Sequence, residues 1–197
     1  GNTIEIMLDS NQIWGVNDAI DYIGKFAPYK IKWIEEPTAR DDIIGTKHIS
    51  EKIIKYGIGV AAGEQMQSPV IFKQMLNINA IQFCQIDAAR LGGVNEVLPI
   101  ILIANKKNIP ICPHGGGIGL CNMVIHFAVW DQIAIANESG TQLVEYLEFL
   151  QDDVFIHPIS LKKGRYSLPN ASGWGIQMND HFLKQHSFPN GVVWKKV

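Results

Sequence analysis

The chain has 197 residues, 47% of them hydrophobic, enough to bury a substantial core in one domain of ordinary size. Its net charge of -2, with 17 Lys and Arg scattered along the sequence, offers no basic stripe for nucleic acid, and no apolar run approaches the roughly 20 residues that span a bilayer. Three cysteines, Cys84, Cys112 and Cys121, form no regular framework and read as buried thiols in a reducing, intracellular compartment.

Gly1 opens the chain without a charged-then-apolar leader, and a strand pattern follows at once, so the natural N-terminus is expected upstream. In chain order the apolar runs that read as strands are Ile4 to Asp9, Ile31 to Glu35, Ile58 to Glu64, Ala80 to Asp87, Ile109 to His114 and Gln132 to Asn137. Between the first two, Asn17 heads a helix with Ile20, Ile23 and Phe26 on one face. Gly57 stops a second helix. Ser68 and Pro69 cap a third that covers Val70 to Leu76 and closes at Asn77. A fourth covers Asn95 to Lys107, with Pro99 placed in its first turn and Lys106 and Lys107 at its C-terminal end.

A strand followed by a helix thus recurs roughly every 25 residues, the pattern of βα units on a parallel sheet. Such repeats suit either an open doubly wound sheet or part of a (β/α)8 barrel. A barrel gathers its chemistry where all the strand C-termini converge, and here Asp9, Glu35, Glu64, Asp87 and His114 end five successive strands. No phosphate-cradling glycine loop follows the first strand. The expected fold is therefore α/β, a partial TIM-type barrel over residues 1–150. Residues 151–197 form an irregular tail without clear period, packing on the barrel or on a domain beyond this chain.

Three carboxylates at convergent strand ends repel one another unless a cation neutralises them. An all-oxygen set suits a hard ion such as Mg2+. Glu35 and its neighbour Glu36 compete for the same role, since adjacent strand residues face opposite ways. His114 is a candidate general acid or base, and Asp87, one strand earlier, is the candidate carboxylate that fixes its tautomer. Gly115, Gly116 and Gly117 follow it and allow a ligand close to the backbone. Other readings fail on spacing. Gly115 to Gly119 matches neither a dinucleotide fingerprint nor a P-loop. His-Gly-Gly-Gly is similar to an esterase oxyanion loop, but no Gly-x-Ser-x-Gly accompanies it. Cys112, His114, Cys121 and His126 do not follow a structural zinc pattern.

Taken in order, Met7-Leu8-Asp9-Ser10-Asn11-Gln12, Trp33-Ile34-Glu35-Glu36-Pro37, Gly63-Glu64-Gln65, Gln85-Ile86-Asp87 with Arg90-Leu91-Gly92-Gly93, and Cys112-Pro113-His114-Gly115-Gly116 resemble the mandelate-racemase branch of the enolase superfamily, closest to its L-fuconate dehydratases. The tail Pro189 to Lys196 resembles that subgroup too. The resemblance implies Asp9, Glu35 and Glu64 as Mg2+ ligands, choosing Glu35 over Glu36, and Asp87 with His114 as a catalytic dyad. It also implies Asn11, Glu64, His114, Gly115, Gly116 and Glu145 as contacts to an acid-sugar substrate, and a mitochondrial location, with a cytoplasmic one open.

The implied reaction removes the proton at C2, stabilises the resulting enediolate and expels the 3-hydroxyl, giving 2-keto-3-deoxy-L-fuconate from L-fuconate. The family's base is the second lysine of a Lys-x-Lys motif on an earlier barrel strand. Lys30-Ile31-Lys32 begins a strand where that motif should end one, and is read as solvated lysines. The first two barrel strands and the N-terminal capping domain are expected to be absent, and the chain alone to be inactive. A racemase, a dehydratase for another sugar acid, and a non-catalytic binding module are the alternatives. Homo-oligomerisation of a longer protein stays open.

Overall fold

The computed structural model describes residues 4–135, 142–146 and 153–195. Four short strands lie side by side in chain order, all parallel: β1 (Met7–Asp9), β2 (Trp33–Glu35), β3 (Gly59–Ala62) and β4 (Phe83–Cys84). A parallel bridge between Cys84 and Ile111 adds a fifth segment. Helices α1 (Val16–Phe26), α2 (Ile43–Ile53), α3 (Pro69–Asn77) and α4 (Val94–Lys106) make the crossovers that parallel neighbours require.

Local chemistry sets the helix ends. The Ser68 hydroxyl accepts from the Val70 N–H at 3.2 Å, and Pro69 takes the first helical position of α3. Asp42 caps α2 by accepting from the Gly45 N–H at 2.7 Å, and α2 tightens into a 3-10 turn, Ile54–Tyr56, that stops at Gly57 with φ 74°. Two expectations shift. Gly15, not Asn17, caps α1. Pro99 lies inside α4, in its second turn, because that helix already begins at Val94; there its ring removes a backbone donor.

The two-residue period of the strands sorts their side chains. Ile34, Val60 and Cys84 face the helices and join a core with Ile23, Ile49, Ile53 and Phe72, all fully buried. Trp33, Ala61 and Cys112 face the other way, with Phe83 and Leu143 packed against them. Glu35, two residues beyond Trp33, shares this inner face, and Asp9 is its register partner across the β1–β2 pair. Among the described residues the outer edge of β1 is unpaired, and Ile4 before it is 74% exposed. None of the helices described is long and apolar enough to cross a membrane.

The sixth expected strand is not one. Helix α5 (Leu120–Trp130) continues into a π-helical turn, Asp131–Ile135, so Gln132 to Ile135 are helical; Asn137, like Leu150, lies outside the described residues. Cys121, Val124, Ile125 and Ala128 are buried at helical spacing, and this period carries on to buried Asp131, whose carboxylate accepts from Gln142 at 2.6 Å. The tail holds more regular structure than its sequence suggests. β5 (Ser160–Lys162) and β6 (Arg165–Ser167) form an antiparallel hairpin, and α6 (Asp180–His186) follows. Trp174 packs its ring 5.4 Å from His126 and 5.8 Å from Phe127 of α5.

Gly63 joins β3 to Glu64 at φ 143°, and a Cβ there would run into the Gln85 carbonyl and the Phe72 ring. Gly57 also has positive φ but open space around it. Gly57→Ala should cost about 1–2 kcal/mol for the left-handed backbone alone, whereas Gly63→Ala should cost roughly 3 kcal/mol, because overpacking adds to the strain. Urea unfolding of the two variants checks this, and equal losses would mean that the close approach at Gly63 does not matter.

Candidate active site

The strand ends on the inner face carry the site. β1 ends in Asp9, whose two oxygens accept from the Asn11 N–H at 2.8 Å and from the Asn11 side-chain amide at 2.7 Å. Asn11 and Gln12 both have positive φ, 46° and 64°. The turn they make brings the Gln12 N–H to the Glu36 carbonyl at 2.8 Å and the Gln12 side-chain amide to the Glu36 carboxylate at 2.9 Å. The Ser10 hydroxyl lies within hydrogen-bond reach of both the Glu35 and Glu36 carbonyls. Each such bond contributes about 1 kcal/mol, and together they lock the β1 and β2 ends in register.

Glu35 accepts from the Trp33 indole at 3.4 Å. Burial pushes its carboxyl up to about 7; a hydrogen bond from Gln85 opposes this, while the charges of Asp9, Glu64 and Glu145 add to it. Glu36 is 3% exposed and has left the strand with φ 39°, so the rule that neighbours face opposite ways no longer holds. It too is pushed up to about 7, by burial first and then by Glu64 and Asp9, against the pull of Gln12 and His114. Both glutamates therefore belong to one acidic cluster. Gln85, on the segment after β4, is buried, and its side-chain oxygen accepts no hydrogen bond.

Across this cluster sits the imidazole of His114. Its Nδ1 is 2.9 Å from Asp87 Oδ2, while Nε2 faces Glu64 at 3.5 Å and Glu145 at 3.6 Å. Asp87 is held by the Ala89 N–H at 2.7 Å and the Arg90 N–H at 3.3 Å, and the Arg90 guanidinium approaches it to 3.8 Å. Burial would lift the Asp87 carboxyl, but His114, the Ala89 N–H and Arg90 outweigh it and hold Asp87 below its ordinary value. Burial works against the imidazolium of His114, yet the hydrogen bond with Asp87 and the charges of Glu64, Glu145 and Asp87 raise its pKa. The ring is thus oriented by Nδ1 and favours a proton, with Nε2 turned to the acids.

Glu145 closes this side of the site. Its carboxylate accepts from the Gly115 N–H at 2.7 Å, and its carbonyl accepts from the Tyr166 hydroxyl at 2.8 Å. The Cys121 thiol reaches the Gly115 carbonyl at 3.2 Å. Gly116 lies so close to His114 that a Cβ would strike the ring, so the space beside this glycine is taken by the imidazole. A cavity of about 440 Å3 opens alongside, lined by Asp87, Arg90, His114, Gly116 and Ile118.

The structure therefore brings together Asp87, His114, Glu64, Glu145, Gly115 and Gly116, with Glu35 beside them; Asp9 and Asn11 stand on the exposed rim. Gln12, Glu36, Gln65, Gln85 and Tyr166 are members that sequence reasoning did not assign. Tyr166 comes from the tail hairpin and carries no sequence signal. Lys32 lies at the opposite end of the strands, where its ammonium pairs with Glu5 at 2.7 Å.

Among the described residues no three His, Cys, Asp or Glu side chains form a preformed metal cage. The donor chemistry nevertheless fits a hard divalent cation. Asp9, Glu35 and Glu64 supply oxygen only, their mutual repulsion contributes to the raised value of Glu35, and the orphaned Gln85 oxygen lies beside them. A cation would have to gather the acids and draw Asp9 from Asn11.

A parallel sheet with helical crossovers and acids at its strand ends, facing an Asp–His pair, defines an α/β protein of the enolase C-terminal type. Residues 1–182 match the Enolase C-terminal domain-like family, and the chain belongs to it, in the mandelate-racemase branch of the enolase superfamily. It is 43% identical over 192 residues to the human mitochondrial enolase superfamily member 1, covering 98% of this chain and 43% of that protein. The crystal structure of that human protein superposes with a TM-score of 0.92 over 100% of this chain and 44% of its own. An L-galactonate dehydratase of Hypocrea jecorina is 42% identical over 96% of this chain and 42% of its own length. The structure of an L-talarate/galactarate dehydratase from Salmonella typhimurium LT2, liganded with Mg and L-lyxarohydroxamate, is 26% identical with a TM-score of 0.77, covering 91% of this chain and 42% of its own. The chain spans less than half the length of these relatives.

Replacing Asp87 by Asn should lower the pKa of His114, which NMR titration of the imidazole reads directly. In the unaltered protein the raised pKa of His114 adds stability that is present below its unfolded value and is lost as the pH rises through its folded value. The depressed pKa of Asp87 adds stability present above its unfolded value and lost as the pH falls through its folded one. The variant should lose both contributions, and an unmoved His114 titration would contradict the pairing.

Proposed function

We propose that this chain supplies the cation-binding and acid half of a Mg2+-dependent acid-sugar dehydratase that converts L-fuconate to 2-keto-3-deoxy-L-fuconate. In this reading residues 1–150 are strands three to eight of a (β/α)8 barrel and 151–197 are its tail, and the longer protein resides in mitochondria, as the name of the human relative suggests. The observation that carries the proposal is the orientation of His114: Asp87 holds Nδ1, so Nε2 is the atom turned toward Glu64 and Glu145.

Asp9, Glu35 and Glu64 would hold the cation, which would offset the charge that builds on the substrate carboxylate as the C2 proton leaves. Asn11, Glu64, His114, Gly115, Gly116 and Glu145 would line the substrate. The raised pKa of His114 favours its protonated form, so Nε2–H can be given to the departing 3-hydroxyl, which leaves as water. Asp87 stays ionised and steadies the ring while the proton moves. Tautomerisation of the resulting enol gives the 2-keto product. Lys30 and Lys32 lie at the wrong end of the strands to take the C2 proton, so this base would come from sequence outside residues 1–197, consistent with relatives more than twice as long.

The test uses a protein of the relatives' length that contains this segment, incubated with Mg2+ and a panel of sugar acids, with 2-keto products trapped. L-Fuconate should be dehydrated, chelation should abolish turnover, and His114→Asn should lower it by about 10²-fold or more. Turnover of another sugar acid but not L-fuconate would overturn the substrate, and no turnover of any acid would overturn the reaction. Residues 1–197 alone should give negligible product.

A further inference from the structure

Glu145 stands in the short segment 142–146, which belongs to no helix or strand, so its neighbours must fix the direction of its side chain. Its N–H donates to the Pro113 carbonyl at 3.3 Å. Its carboxylate Oε2 accepts from the Gly115 N–H at 2.7 Å and stands 3.6 Å from His114 Nε2. Its carbonyl accepts from the Tyr166 hydroxyl at 2.8 Å, with the Cys121 thiol further off at 3.7 Å.

Tyr166 is the contact that comes from the tail. It lies in β6 opposite Leu161 of β5, and its ring meets that of Tyr146 edge-on at 5.6 Å. Burial first, and then Cys121, push the phenol well above its ordinary value, so the hydroxyl keeps the proton it donates. A Cβ on Gly115 would run into both the Glu145 carbonyl and the Cys121 sulfur. The peptide that Tyr166 grips therefore lies against the same glycine whose N–H the Glu145 carboxylate takes. A shift of one displaces the other. The single N–H from Gly115 leaves most of the acceptor sites of that carboxylate free for a ligand hydroxyl, and the side chain is 36% exposed.

We propose that Tyr166 is a positioning residue: from the tail hairpin it anchors the Glu145 peptide, so that the Glu145 carboxylate meets a hydroxyl of the acid sugar in one fixed geometry. The assignment rests on the acid-sugar reading above. An acceptor already held in place loses less freedom when it binds than a mobile one. Loss of the phenolic hydroxyl should therefore weaken substrate binding through Glu145 and by no other route.

Two measurements test this with Tyr166→Phe, which keeps the ring against Tyr146 and removes only the donor. In NMR spectra of residues 1–197, the Gly115 amide proton should move upfield, toward its position in Glu145→Ala, while amides remote from the site stay in place and show that the variant is folded. In a protein of the relatives' length, with Mg2+ and the sugar acid it dehydrates, Tyr166→Phe should raise KM about fivefold, the worth of one hydrogen bond, and lower kcat by less than about twofold. Made on top of Glu145→Ala, the same change should alter KM by less than about twofold, because the group it positions is gone. An equal rise of KM in both backgrounds would mean that the hydroxyl only stabilises the hairpin, and an unmoved Gly115 amide would mean that Tyr166 does not hold Glu145; either result overturns the assignment. Failure of the unaltered longer protein to dehydrate any sugar acid sinks the acid-sugar reading and this assignment with it, whereas turnover that Tyr166→Phe leaves unchanged sinks the role of Tyr166 alone.

Discussion

Too much negative charge in too little water is the condition to which the strand ends of this protein are built. Glu35 and Glu36 sit in a partly dry cluster with Glu64, Asp9 and Glu145 close enough to be felt. At an effective dielectric near 20, two such charges about 4 Å apart repel by roughly 4 kcal/mol. The chain meets this with neutral donors: Asn11 on Asp9, Gln12 on Glu36, Gln65 on Glu64 and Trp33 on Glu35. These bonds hold the acids in place but do not discharge them. Protons, or a cation, must do that, and both glutamates are accordingly raised to about 7.

The same charge organises the imidazole. Burial alone would lower the pKa of His114, and it is the acids around it that reverse the direction. Asp87 does so through one ring nitrogen and fixes the ring; Glu64 and Glu145 do so through space, toward the other. A proton on Nε2 therefore points at the place where the acids are. Orientation and protonation have one cause, and a variant that removes charge from the cluster should disturb both.

Much of this was legible in the sequence because a parallel sheet turns a one-dimensional period into a shared end. Asp9, Glu35, Glu64, Asp87 and His114 could be placed together from the spacing of apolar runs, and Asp9 and Glu35 prove to be register partners. Legibility failed where a local rule was overridden. The apolar run from Gln132 reads as a strand, but α5 carries its helical period past Trp130, where Asp131 is buried and bonded to Gln142. Strand alternation set Glu36 apart from Glu35, and the positive φ at Glu36 cancelled it. Tyr166 had no signal at all, and Gln65 stood in a motif without a role. One arrives through a tail hairpin, and the other matters only because of what stands on either side of it.

The two flanks of the site are unequal, and the inequality bears on where a missing group can enter. On the His114 side, Asp87 at Nδ1, Glu145 facing Nε2 and Tyr166 behind Glu145 crowd the ring, and the His114 side chain is only 14% exposed. On the β1 side Asp9 and Asn11 are exposed, and the strand edge beside them carries no partner among the described residues. Lys30 and Lys32 lie before β2, at the other end of the strands, where Lys32 pairs with Glu5. If the reaction is the proposed dehydration, the group that takes the C2 proton must approach opposite His114, over the flank of β1. A residue motif alone would have assigned that task to Lys30-Ile31-Lys32; the direction of the strand, which puts those lysines at its start and Glu35 at its end, denies it.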